Sequence, residues 1–237
     1  PFPTVFAQVN LPSRASSNMS VSGLPYERGQ EIPDSEGNPV MADADMRFWM
    51  NPQSTESINS NVYFDEAYVH PDDLPLAHEH SSFPEFVELC EKNNLKMPPF
   101  KPFDVNKEID LGGLHLKGIH LPGHTPGGLL LLLKEDRILF TGDAINRHLW
   151  LQLDGCLPAG KAADALEKIM YLTEEADFIL HGHAKGTDPI SLMNDLLRGL
   201  REIEAGQTEN DLPYQWFGGE ARQHPFAKDS VICYPKP

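Results

Sequence analysis

Five consecutive leucines at residues 129–133 constrain this 237-residue chain more than any other stretch. The run is far too short to cross a bilayer, and it has no polar side to turn toward water. It reads as a strand that is apolar on both sides, inside a sheet covered on both faces. Glu135 and Asp136 follow it and residues 137–141 read RILFT, so the leucines form the first arm of a hairpin.

Both ends of that hairpin carry chemistry. Residues 121–128, just ahead of the leucines, read LPGHTPGG, residues 139–143 read LFTGD, and residues 178–183 read FILHGH. In all three an apolar strand-like run meets a glycine, and beside the glycine stands a histidine or an aspartate. Neutral imidazole and carboxylate are usual ligands of zinc, iron and manganese, and glycine lets the backbone turn tightly beside them. Ligands at strand ends are held by the sheet while their side chains reach open space, which suits a catalytic metal that keeps one position for water. His124, Asp143 and His183 are therefore the candidate metal ligands.

The length allows one large domain with a sizeable core. A formal charge of −16 disfavours nucleic acid and anionic membranes as partners and leaves a small molecule. Cys90, Cys156 and Cys233 form no CxxC pair, so neither a disulfide framework nor a cysteine zinc site is indicated. With no charged-then-apolar leader pattern, a reducing cytoplasm is the expected compartment.

Residues 1–61 are rich in Pro, Ser, Asn and Gly and read as an irregular arm, with a short strand at 4–9 and a short helix at 42–50. From residue 62 to the C-terminus a single mixed α/β (α+β) domain is expected. Residues 62–70 are strand-like and end in the turn former HPDD. Residues 82–94 read as a helix, capped by Ser81 or Ser82, with Pro84 and Glu85 in its first turn. Residues 108–111 and 114–121 form a hairpin about Gly112 and Gly113. Helical spacing appears at 161–176 and 190–205, on either side of the strand at 178–180, and 230–234 is a final strand.

The order PGHTPGG, hairpin, TGD, helix, strand and HGH resembles the metallo-β-lactamase superfamily of metal-dependent hydrolases. The resemblance implies an αββα sandwich holding one or two zinc ions at a sheet edge, with iron or manganese as other occupants. It makes His124 a ligand of the first metal, Asp143 the bridging and catalytic residue, and His183 a ligand of the second. It also implies a metal-activated water attacking an ester, thioester, amide or phosphoester, and for this chain a small ester, thioester or lactone-like substrate is expected.

One family element is missing: no His-x-His-x-Asp-His occurs. The nearest spelling, His78-Glu79-His80, reads as a surface loop before a helix. The N-terminal half of the fold is thus expected to be incomplete or atypical, as in a truncated chain, and to leave each metal two ligands from this sequence. Alternatives are a metal-poor binding or scaffold protein, or a split enzyme. An unpaired sheet edge favours a homo-oligomer or a complementing chain.

Other residues admit two readings each. Asp143 is either a ligand or the cap of a segment starting at Ala144. Arg147 and His148 either face substrate or are solvated, and His181 is a weaker ligand candidate than His183. His115 and His120 are expected on the polar face of one strand. His70 is expected in a turn before Pro71, and Asp72-Asp73 either binds metal or starts that turn. Trp49 and Trp216 either line a pocket or pack in a core.

Overall fold

The computed structural model describes residues 31–33, 39–41, 66–92, 94–182, 186–216 and 219–236. His183, Trp49 and the elements expected at 4–9 and 42–50 lie outside the described residues, and of Trp216 only the backbone is described. The chain divides into two compact units, residues 70–73 and 104 onward belonging to the second. No helix among the described residues is long and apolar enough to cross a membrane.

In the first unit, β1 (Glu31–Pro33) and β2 (Pro39–Met41) pair as an antiparallel ribbon inside the region read as an irregular arm. β3 (Ala67–Val69) runs parallel to β4 (Phe100–Pro102). Between them lie helices α1 (Leu74–Ser81) and α2 (Pro84–Lys92). The expected surface loop at His78 and His80 is therefore helical. Residues two apart on a helix do not share a face. His78 meets the edge of Phe100 at 5.6 Å, whereas His80 lies against Phe83 at 5.1 Å. The serines turn backward: Ser81 Oγ donates to the His78 carbonyl and Ser82 Oγ to that of Glu79, closing α1 rather than opening α2. Pro84 opens α2, where its missing N–H is no loss.

The second unit holds two sheets. The larger has six strands in the order β11-β10-β8-β7-β6-β5, with β5 Ile109–Asp110, β6 His115–His120, β7 Leu129–Leu133, β8 Ile138–Gly142, β10 Phe178–His181 and β11 Asp188–Pro189. The leucine run is β7, and Leu130, Leu131 and Leu132 are each no more than 1% exposed, so the strand is buried on both sides. The β5–β6 turn uses Gly112 and Gly113 at φ +92° and +98°, and Asp110 Oδ1 accepts both their amides at 2.8 Å. His115 and His120 do not share a polar face, because five positions along a strand reverse the side. His115 presents its amide and ring to Glu135 at 2.8 and 2.6 Å, which holds that carboxyl down to about 2.

The smaller sheet is β12-β13-β14-β9, with β9 His148–Trp150, β12 Leu212–Trp216, β13 Gly219–Ala227 and β14 Ser230–Pro235. The expected helix at 161–176 is split into α3 (Ala159–Glu167) and α4 (Leu172–Glu175). Between them the amides of Ile169, Met170, Leu172 and Thr173 each reach the carbonyl three residues back, a tighter turn than an α-helix. α5 (Leu192–Glu204) and α3 share one core with both sheets. That core joins Leu130, Leu139 and Ile179 to Leu149, Phe226 and Ile232, with Leu166 and Leu196 from the helices.

At Gly199 on α5 a Cβ would lie 2.4 Å from Phe226 Cβ. Alanine gains about 1 kcal/mol in helix propensity, but overpacking of this kind costs about 1–3 kcal/mol. Gly199→Ala should therefore destabilise the chain, lowering the urea midpoint without changing the slope of unfolding free energy against urea.

α5 is also tied to β13 by His224, buried between Asp211 Oδ1 (2.7 Å) and Glu202 Oε2 (3.0 Å). The His224 hydrogen bond holds the Glu202 carboxyl below its ordinary value; partial burial opposes it and Arg198 assists. A depressed carboxyl stabilises above its unfolded pKa of about 4.3 and loses that contribution as pH falls through the folded value. Glu202→Gln should be less stable than wild type at pH 7, and the gap should close below about pH 4 in a thermal-unfolding series.

Candidate metal centre

Strand directions bring the three glycine motifs to one end of the six-stranded sheet. β6 and β7 are antiparallel with His120 opposite Leu129, so the loop at 121–128 joins them at that end. β8 is antiparallel to β7, which puts Gly142 and Asp143 at the same end. β10 runs parallel to β8 with His181 opposite Gly142, and the Gly182 amide donates to the Gly142 carbonyl at 3.2 Å.

His124 is oriented from behind. Its Nδ1 lies 2.7 Å from the Trp150 carbonyl, and since a carbonyl only accepts, Nδ1 carries the proton and Nε2 the lone pair. A histidine metal ligand is held in this way. The loop around it is closed by Leu121 N–H donating to the Gly128 carbonyl at 2.7 Å. A Cβ at residue 128 would sit 2.2 Å from the Leu121 carbonyl oxygen, so only glycine fits.

Asp73 completes the loop from 52 residues ahead of Thr125 and 54 ahead of Gly127. Its Oδ1 accepts the Gly127 amide and its Oδ2 the Thr125 hydroxyl, both at 2.6 Å. A Cβ at Gly127 would meet the Asp73 carboxyl carbon at 2.7 Å. Behind the loop, Cys156 donates its thiol to the His124 carbonyl at 3.0 Å, and burial pushes that thiol up to about 11.

Asp143 follows Gly142, whose φ of +52° is left-handed. No helix follows Asp143: the chain turns through residues 143–147 into β9, so its role is not that of a helix cap. The turn is pinned by Thr141 Oγ1 donating to the Ile145 carbonyl (2.7 Å), by Asn146 Nδ2 donating to the Asp143 carbonyl (3.0 Å), and by the His148 amide donating to Asn146 Oδ1 (2.6 Å).

Arg147 and His181 share one partner. Arg147 Nε donates to Asp188 Oδ1 at 2.8 Å, and His181 Nε2 lies 2.9 Å from Asp188 Oδ2. Burial raises the Asp188 carboxyl, but the hydrogen bonds from Arg147 and His181 outweigh it and leave the group below its usual value. His148 is exposed, with its ring 5.8 Å from Tyr214 and 6.3 Å from Trp150, and its Nε2 3.0 Å from Cys233 Sγ.

Residues 58–183, more than half of the chain, match the family model described as the metallo-beta-lactamase superfamily. The chain belongs to that superfamily. Among solved structures it is similar to a metallo-beta-lactamase from Pontibacter korlensis, at 15% identity and a TM-score of 0.40, over 62% of this chain and 64% of that one. It is also similar to a metallo-beta-lactamase family protein from Thermus thermophilus, at 16% identity and a TM-score of 0.39, over 69% of this chain and 57% of that one. The chain thus spans less than two thirds of either protein's length. No curated protein matches it.

Members of the metallo-beta-lactamase superfamily usually bind metal ions, and the donors at the sheet end fit such an ion: one imidazole with its ring fixed, and one carboxylate on a pinned turn. Sequence reasoning missed Asp73 as the organiser of this loop, and it missed a second grouping. His70 and His120 stack with ring centroids 3.9 Å apart and planes 10° from parallel, and Asp72 stands beside them. Among the described residues these three are the one set of His, Cys, Asp or Glu with ligand atoms all within 4.8 Å.

Asp73→Asn puts an amide where a carboxylate received two donors, at a cost of about 1–3 kcal/mol. Hydrogen exchange at the Gly127 amide should then speed up by about tenfold or more, measured against distant core amides that do not change.

Proposed function

We propose that this chain is a metal-dependent hydrolase that acts on a small ester, thioester or lactone-like substrate, with zinc as the metal and His124, Asp143 and His183 as the ligands its own sequence supplies. One observation carries the reading: the Nδ1 bond from His124 to the Trp150 carbonyl, which leaves Nε2 as a preset donor at the sheet end that also bears Asp143. A bound divalent ion supplies Lewis acidity toward a carbonyl and toward water.

The chain's own part is positioning. Trp150 selects the His124 tautomer, Asp73 holds the loop, and the Asn146 bridge fixes the Asp143 backbone. A net charge of −16 disfavours strongly anionic substrates and agrees with a neutral ester or lactone. With Asp143 shared between two ions, each ion has two ligands from this chain, whereas a catalytic zinc generally takes three, so further donors come from the region ahead of residue 66, from a second copy or from another polypeptide. The competing reading, a metal-poor binding protein, is favoured by the missing His-x-His-x-Asp-His.

Elemental analysis of the purified chain, together with hydrolysis of a phenyl ester, a thioester and a lactone before and after chelation, separates the two. The hydrolase reading expects bound metal, and kcat/KM lowered at least about 100-fold by chelation and equally by Asp143→Ala. Turnover indifferent to both treatments sinks it, and a metal-free, inactive chain supports the binding protein.

A further inference from the structure

The geometry points to a second divalent transition-metal site, formed by His70 Nδ1, Asp72 Oδ2 and His120 Nε2, independent of the hydrolase reading and of its three candidate ligands. Asp72 Oδ2 lies 3.6 Å from His70 Nδ1 and 4.0 Å from His120 Nε2. Ligand atoms ~2.1 Å from a tetrahedral zinc stand ~3.4 Å apart, so the exposed Asp72 side chain has a few tenths of an ångström to move, and the two rings, stacked 10° from parallel, must turn until both in-plane lone pairs meet one ion.

The donors are already assembled. His70 and Asp72 ride on the 3₁₀ turn Pro71–Asp73, and the next side chain, Asp73, is anchored to Thr125 and Gly127. His120 ends β6, and its ring is held face to face with that of His70.

An ion must displace the ring stack and two hydrogen bonds. Asp72 N–H donates to His70 Nδ1 across a long 3.3 Å, and His120 Nε2 donates to the Pro126 carbonyl at 2.9 Å. Binding moves the His120 proton to Nδ1 and exchanges those two hydrogen bonds for coordination. Two imidazoles and one carboxylate select zinc, nickel or copper over magnesium or calcium, which prefer all-oxygen sets. Occupancy joins the turn to β6, the strand that leads into the His124 loop.

The test is calorimetric titration of Zn²⁺ into the full chain, in a His124→Ala/Asp143→Ala background and in that background with Asp72→Asn or His120→Gln added. The background should keep a zinc-binding event, and each added substitution should weaken it at least about tenfold, since even partners outside the coordination shell are worth that much. Asp72 is 58% exposed, so Asp72→Asn keeps the fold and decides the matter even where His120→Gln does not fold. No binding in the background, or binding that Asp72→Asn leaves unchanged, overturns the site. Loss of hydrolysis in the background while this binding persists separates the two centres.

Discussion

The segment that carries His124 has little with which to hold itself. Of its eight residues, LPGHTPGG, two are prolines without an N–H and three are glycines without a side chain. Its shape comes from outside, from the Asp73 carboxylate that takes the Thr125 hydroxyl and the Gly127 amide together. The glycines are what let this happen, because the carboxylate and the Leu121 carbonyl occupy the space where side chains at 127 and 128 would stand. With the loop set, His124 meets the Trp150 carbonyl of β9, and the Leu157 amide reaches the Gly123 carbonyl at 2.8 Å ahead of α3. One ionised group thereby positions a loop that touches both sheets and a helix of its unit.

A second cross-link lies at the far side of β8. Arg147 donates to Asp188 of β11 and to Ser230 Oγ at the start of β14, and its carbonyl accepts the Val231 amide. His181 holds the other Asp188 oxygen from the end of β10. Such a buried carboxylate is stable only when its partners satisfy it. Residues that read as chemistry by type, an arginine and a histidine beside the motifs, thus join the edge of the larger sheet to the smaller one.

Much of the second unit was legible because its signals are local. The leucine run could only be a doubly covered strand, Gly112-Gly113 could only be a tight turn, and the amphipathic spacing of α5 is unbroken. The hairpin of β12 and β13 escaped, since Pro213 and Pro225 interrupt it and its residues do not alternate cleanly. β9 is three residues long and carries no pattern of its own. At the candidate site, the motif histidine and aspartate were visible in the chain, but their support was not. Asp73 and Gly127 are 54 residues apart, and the stack of His70 on His120 joins a turn to a strand end, so no window along the sequence shows either.

The two histidine groups differ in what the fold has already settled, and that difference bears on how each would take an ion. At the sheet end the donors come from separate strand ends, so the entropy of bringing them together is met by the hydrogen-bonded sheet itself, and the ring of His124 is oriented by the backbone carbonyl of Trp150 in β9. At His70, Asp72 and His120 the donors are more complete in number but looser in position, because Asp72 is largely exposed and both imidazole nitrogens already serve hydrogen bonds. Rigidity favours a centre that must hold an ion in one geometry while a substrate comes and goes. An exposed carboxylate beside stacked imidazoles would suit an ion that binds and leaves with its supply, and since Asp72 and Asp73 are adjacent, such binding would act on the same turn that sets the His124 loop.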